Sequence, residues 1–168
     1  MEGEPSILFE ILIIFILMIA NGVFAMTEIA IVSSRKARLE KYAADGSDGA
    51  KAALELANDP TPLLSTVQVG ITLIGIFTGA YGGATIAQAL VVYLRPLPVV
   101  GPYAASVSMA LVVAAITYVS LIIGELVPKR IALNNPEPIA MLIARPMRFL
   151  SKVFMPIVKL LSISTEVV

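Results

Sequence analysis

Apolar positions in this chain gather into long blocks separated by polar text. The first block runs from Pro5 to Val32, interrupted by Glu10, Asn21, Thr27 and Glu28, and exceeds the roughly 20 residues that a bilayer requires. It predicts a membrane span over 5–32. Ser33 to Pro62 reads differently, with Arg35, Lys36, Arg38, Lys41 and Lys51 set among acids and alanines, and with Leu39, Tyr42 and Ala43 at amphipathic-helix spacing. This predicts a polar loop over 33–62 with one or two short helices, closed by Asp59-Pro60-Thr61-Pro62. Leu63 to Leu94 is apolar again but punctuated by Gly70, Gly75, Gly79, Gly82 and Gly83. The spacing predicts a span over 63–81, a break at Gly82-Gly83 and a short helix over 84–94. Arg95 to Pro102 is a proline-rich connection into a third span over 103–127.

After Pro128 come Lys129, Arg130 and the turn Asn134-Asn135-Pro136-Glu137-Pro138, then an apolar stretch to Leu161 carrying Arg145, Arg148, Lys152 and Lys159. Basic residues every few positions among Ile, Leu, Met and Phe suit a helix lying in the membrane interface over 138–161, anchored on anionic lipid, with a fourth span as the alternative. A cleaved signal peptide is not expected, because Glu2 and Glu4 precede an apolar run that is too long for one.

Composition turns this pattern into a class. With 58% hydrophobic residues, only 14% charged ones and a mean hydropathy of +0.90, the chain cannot clothe a soluble core of its size. It reads as an all-α protein of the cell membrane with multiple passes. Twelve basic and twelve acidic residues cancel, so no nucleic-acid partner is expected. The absence of Cys and His removes disulfides, thiolate or imidazole metal sites, and any triad built on an imidazole. With no nucleophile and base pair in the spans, an enzyme is not expected either. Of the twelve Lys and Arg, eleven fall in 33–62 and from Lys129 onward, which predicts the amino terminus outside and the carboxyl terminus in the cytoplasm.

Polar residues inside the spans are the candidate chemistry, since ionisable groups there usually face protein or water. Asn21 and Glu28 share a face of span one with Ala25. Glu28 could instead pair with Arg35 or Lys36 at the interface. Span two gathers Ser65, Gln68, Thr72, Gly75, Gly79 and Gly82 on one face, where the glycines alone would suit close helix packing. Span three ends in Gly124-Glu125-Leu126-Val127-Pro128-Lys129, with Thr117 and Ser120 on the Gly124 side. Pro128 lacks the N–H that would bond the Gly124 carbonyl, and a carbonyl freed at membrane depth needs a donor or a cation. A kink that merely ends the span is the plainer reading. Together these faces predict an oxygen-only site for a hard cation: Mg²⁺ wants near-octahedral oxygen, and Ca²⁺ or Na⁺ would accept looser versions.

Three ordered motifs resemble a known family: Asn21-Gly22-Val23-Phe24-Ala25-Met26-Thr27-Glu28-Ile29-Ala30, then Thr66-Val67-Gln68-Val69-Gly70-Ile71-Thr72-Leu73-Ile74-Gly75, then Gly124-Glu125-Leu126-Val127-Pro128-Lys129. They look like the transmembrane domain of the CNNM/CorC proteins, and the likeness covers nearly the whole of 1–168. The resemblance implies a homodimer of three-span protomers with juxtamembrane helices, exporting Mg²⁺ in a process coupled to Na⁺. It implies that nucleotide is bound only through paired CBS domains, which members carry downstream and which are absent from a chain ending at Val168. It also implies an ion site at Thr27, Thr72 and the Gly124 carbonyl. Several members read Phe-Ser-Gly-Ser-Glu where this chain has Phe24-Ala25-Met26-Thr27-Glu28, and Gly-Asn-Thr-Leu-Val-Asn where it has Gly70-Ile71-Thr72-Leu73-Ile74-Gly75. Two amides and one hydroxyl of the family's set are thus missing. The Gln68-to-Ile76 version looks like a haemolysin-related bacterial branch, some of whose members are linked to polyamine export.

The expected function is export of a divalent cation, Mg²⁺, by alternating access in a homodimer. Two alternatives stand beside it: export of organic cations such as diamines, with Glu28 and Glu125 facing the ammonium groups, and a non-transporting membrane anchor or ion sensor serving cytosolic regulatory domains.

Overall fold

The computed structural model describes residues 7–166, and those residues contain helices joined by short turns and no strand. Three helical stretches are long and apolar enough to cross a membrane: α1 (Ile7–Ser33), α4 (Thr61–Leu94) and the run Gly101–Asn134. That run comprises a 3-10 turn at Gly101–Tyr103, α5 (Ala104–Leu121), a π-helical turn at Ile122–Leu126 and α6 (Val127–Asn134). Two short helices, α2 (Lys36–Ala44) and α3 (Asp48–Asn58), fill the polar loop, and α7 (Pro136–Glu166) follows the third span. The all-α, three-span class read from the sequence is the class of the structure.

One expectation fails. α4 runs unbroken through Gly82 and Gly83 for 34 residues, with no separate helix over 84–94. In an apolar medium a broken helix exposes backbone groups that nothing can satisfy, which outweighs the weak helix propensity of glycine. Gly82 serves packing instead: a Cβ placed on it would lie 2.6 Å from Ile14 Cδ1 and 3.0 Å from Ile116 Cδ1, so three helices meet at its bare surface. Gly70 packs in the same way further along α4, with the rim of the Phe24 ring 2.8 to 3.0 Å from where its Cβ would be. The pairs Phe24–Gly70 and Ile14–Gly82 show α1 and α4 running antiparallel.

The dense core lies at the basic end of the molecule, among α2, α3, α7 and the adjoining ends of the spans. Ile31, Leu39, Leu63 and Val67 are buried there with Ala30, Ala52, Ala53, Ala132, Ala140 and Ala144. Small alanine side chains let α3 and α7 approach closely, and Gly49 abuts the Met141 carbonyl of α7. Local signals set the α2–α3 corner. Gly46 takes a φ of +94°, Ser47 N–H donates to the Tyr42 carbonyl and Gly46 N–H to that of Ala43, which is the double bond of a Schellman stop. Ser47 Oγ then accepts the Ala50 N–H and caps α3.

Charge pairs fasten α7 along its length. Arg145 meets Asp48 at 2.7 Å and Arg148 meets Glu55 at 2.6 Å. Glu137, 5% exposed, accepts the Arg35 N–H at 3.4 Å and lies 3.7 Å from Arg38, tying the first turn of α7 to the start of α2.

Candidate functional site

The third span is irregular where Pro128 requires it. Pro128 has no N–H, and the preceding turn widens to π geometry, with the Val127 N–H bonded to the Ile122 carbonyl. α1 crosses span three at this point. A Cβ on Gly22 would sit 2.9 Å from Pro128 Cγ and 3.2 Å from the Ile123 carbonyl, and one on Gly124 would sit 3.2 Å from Asn21 Nδ2 and 3.3 Å from the Met18 carbonyl. Two glycines therefore bring the helices to near backbone contact. Asn21 Nδ2 donates to the Gly124 carbonyl at 2.9 Å, so a protein donor answers the carbonyl that lacks its helical partner.

Beside this crossing lies a cavity of about 280 Å³ between all three spans. Asn21, Thr117, Ser120, Gly124 and Glu125 line it, all of them expected at the site, together with Gly75 and Gly79. A Cβ on Gly75 or Gly79 would meet nothing within 4 Å, so these two glycines open the cavity and are not packing contacts inside the protomer. Most of the remaining wall is apolar, with Met18, Ile71, Ile74, Val113 and Ile116 among its residues. Glu125 does not stand alone there: its carboxylate accepts from Lys129 Nζ at 2.7 Å, four residues on along the same helical run.

Other expected ligands lie elsewhere. Thr27 is fully buried and its hydroxyl donates to the Val23 carbonyl at 2.6 Å, which turns it inward along its own helix. Thr72 is exposed, lines no described cavity, and donates to the Gln68 carbonyl at 2.8 Å. Glu28 and Gln68 line a second cavity, of about 480 Å³, with Leu64, Ser65, Val69, Val158 and Leu161. The pairing of Glu28 with Arg35 or Lys36 does not occur among the described residues; the Arg35 N–H goes to Glu137. The single site read from three faces is thus two cavities, because Asn21 and Glu28 sit seven residues, about 10 Å, apart along α1.

One contributor to the central cavity escaped the sequence reading, and one buried carboxylate lies outside both cavities. Thr78 is 6% exposed and lines the central cavity. It lies three residues from Gly75 and four from Gly82, on the same helix face as the stripe of small residues, and that spacing could have found it. Glu10 is 6% exposed in α1, and its Oε2 has no hydrogen-bond partner among the described residues.

Comparison with known proteins fits this geometry. The family model for the Cyclin M (CNNM) transmembrane N-terminal domain matches residues 12–168. The chain belongs to the CNNM transmembrane-domain family. Membership, with three apolar helices among the described residues, makes it a multi-pass membrane protein. It is 52% identical over 165 residues to the UPF0053 protein sll0260 of Synechocystis sp., covering 98% of this chain and 37% of that protein. It is 29% identical over 157 residues to the UPF0053 protein YhdP of Bacillus subtilis, covering 94% of this chain and 35% of that one. A relative called the Polyamine export protein, from Salmonella typhimurium, is 31% identical over 149 residues, covering 89% of this chain and 33% of the relative. The chain therefore spans about a third of the length of these relatives.

Proposed function

We propose that this CNNM domain is the membrane portion of a cation exporter that carries Mg²⁺ through the central cavity, with two copies assembled as a homodimer. The observation that carries the reading is the gathering of oxygen groups around the span-three kink: the Asn21 amide, the hydroxyls of Thr78, Thr117 and Ser120, the Gly124 carbonyl and the Glu125 carboxylate. Magnesium prefers six oxygens and sheds water reluctantly. At about 30 Å³ per water, an ion with six waters needs roughly 180 Å³, which a 280 Å³ cavity accommodates. The ion would travel hydrated, hydrogen-bonded to hydroxyls and amide, with Glu125 supplying the charge that offsets its desolvation. In this reading the basic end faces the cytoplasm, Na⁺ is the coupling ion, and Asn21, Ser120, Gly124 and Glu125 are the core of the site, whereas Thr27 and Thr72 enter it only in another conformation.

Export of a diamine is the second reading. Two observations favour it: the cavity wall is largely aliphatic, which suits a methylene chain, and one relative is named as a polyamine exporter.

Reconstitution into proteoliposomes with a Mg²⁺-sensitive dye, run with and without a Na⁺ gradient and with cadaverine as competitor, tests both. Mg²⁺ flux that collapses in Glu125→Gln and resists cadaverine supports the first reading. Cadaverine flux without Mg²⁺ flux replaces it with the second. No flux of either would leave a membrane anchor or ion sensor.

A further inference from the structure

The buried residues Glu10, Ile14, Met18 and Gly22 follow one another along α1 at four-residue steps and so share one helix face. Met18 lines the central cavity, whereas Ile14, one turn nearer the amino terminus, does not. Ile14 Cδ1 lies 2.6 Å, and Ile116 Cδ1 3.0 Å, from the point that a Cβ on Gly82 would occupy. The two isoleucine tips thus converge on a bare glycine and fill the gap between α1, α4 and α5 at one end of the cavity, which Ile116 also lines.

Beyond this apolar contact stands Glu10, two turns and about 12 Å from Met18. It is 6% exposed, its Oε2 has no hydrogen-bond partner, and it enters no ion pair among the described residues. The neighbouring helices cannot supply a charge: residues 83–94 and 101–115 contain no Lys, Arg, Asp or Glu. Tyr93 and Tyr103 there are exposed, and so is Arg95 in the turn after α4. Ser108 of α5, on the same side of Gly82, is fully buried with its hydroxyl equally unpartnered. A carboxylate withdrawn this far is costly unless positive charge reaches it.

We propose that Ile14 and Ile116, closing over Gly82, are the outer gate of the central cavity, and that Glu10 is the acceptor a cation meets on the far side. The inference rests on the central cavity being the route of transport. A hydrated cation does not cross an apolar contact of this kind, because it would have to shed its water with no oxygen to replace it. Gly82 permits the closure, since a Cβ there would push both tips aside. Once α1 or α5 moves off α4, the cation passes from the groups around Glu125 to Glu10. A lone carboxylate satisfies few of the six oxygens that a divalent ion wants, so it holds such an ion weakly, which suits an exit.

The test needs no transported ion, only the Cys-free chain in proteoliposomes. Thr78 lines the cavity one turn from Gly82, so Thr78→Cys reports from behind the gate. From the side at which Pro98→Cys reacts, a membrane-impermeant methanethiosulfonate should modify it slowly. Ile14→Val combined with Ile116→Val removes the two Cδ1 methyls at Gly82 and should raise that rate at least about tenfold, with the rate from the opposite side unchanged. In this opened protein a trimethylammonium reagent should outpace a sulfonate reagent, each normalised to its rate with a free thiol, and Glu10→Gln should cut that preference at least about threefold. The valine pair is the mildest cut, and Ile14→Ala with Ile116→Ala is the deeper one. Fast modification with both isoleucines in place, an unchanged rate in both pairs, or an unchanged charge preference in Glu10→Gln would overturn the proposal. Absence of Mg²⁺ flux in the dye assay strikes at the cargo and leaves these rates as they are, so the two failures are separable.

Discussion

The Asn21 side chain donates through Nδ2 to the Gly124 carbonyl at 2.9 Å, joining span one to the proline kink of span three. The bond decides between the two fates open to a carbonyl that loses its helical donor. Here the donor is protein, and because a carbonyl has two lone pairs, the oxygen retains capacity for a further partner in the cavity. Asn21 thus holds the kink open at the place where Gly124, Ser120 and Glu125 meet the cavity.

Asn21 and Pro128 should therefore be energetically coupled. Asn21→Leu leaves a buried acceptor unpaired and should cost about 1–3 kcal/mol. Pro128→Ala restores an N–H with which the kink can satisfy one of its own carbonyls, so the Asn21→Leu penalty should shrink in the double variant. Thermal or denaturant unfolding of the four proteins in one detergent gives the cycle. Strict additivity, within about 0.5 kcal/mol, would show that the bond carries no weight.

Gly22 and Gly79 should respond oppositely to a methyl group. Gly22→Ala forces a Cβ to 2.9 Å from the Pro128 ring and 3.2 Å from a backbone oxygen, neither of which can swing aside. A loss of about 1–3 kcal/mol is expected, as for other overpacked contacts. Gly79→Ala meets open space and should leave stability within about 0.5 kcal/mol, while Gly79→Leu should fill the cavity and block cation passage. Unfolding midpoints paired with flux measurements separate these effects.

Lys129 acts as a resident cation on Glu125, at 2.7 Å. Glu125→Gln keeps shape and hydrogen bonding but removes the charge, and should lower cation affinity at least about tenfold. Lys129→Met leaves Glu125 without its internal partner, so apparent affinity should rise. Calorimetric titration with Mg²⁺ on folded, monodisperse protein reads both. A fall in both variants would mean that the ion pair is structural and that Glu125 does not face the cation.

Topology is accessible because the chain contains no Cys, so single-cysteine variants need no background removal. Ser47→Cys and Pro98→Cys should react with membrane-impermeant maleimide from opposite sides, Ser47 from the cytoplasm. Labelling of both from one side would refute three crossings.

Features that depend on neighbours along the chain were legible in the sequence. A bilayer demands a long apolar run with internally satisfied backbone, so hydropathy alone located three spans, and Pro128 announced the irregular turn because its missing N–H is a property of the residue itself. The Cys-free, His-free composition restricted candidate ligands to oxygen for the same reason. Tertiary structure decided what depends on which helix faces which. The glycines of α4 look alike in sequence, yet Gly70 and Gly82 receive Phe24, Ile14 and Ile116, while Gly75 and Gly79 open a cavity. Asn21 and Glu28 share a helix face but meet different partners, the first at the Gly22–Gly124 crossing and the second where α7 returns against α4. Thr27 and Thr72 turn their hydroxyls to their own backbone. Local bonding along the chain fixes where a helix exists, whereas membership of a cavity follows from the few small residues at which helices touch.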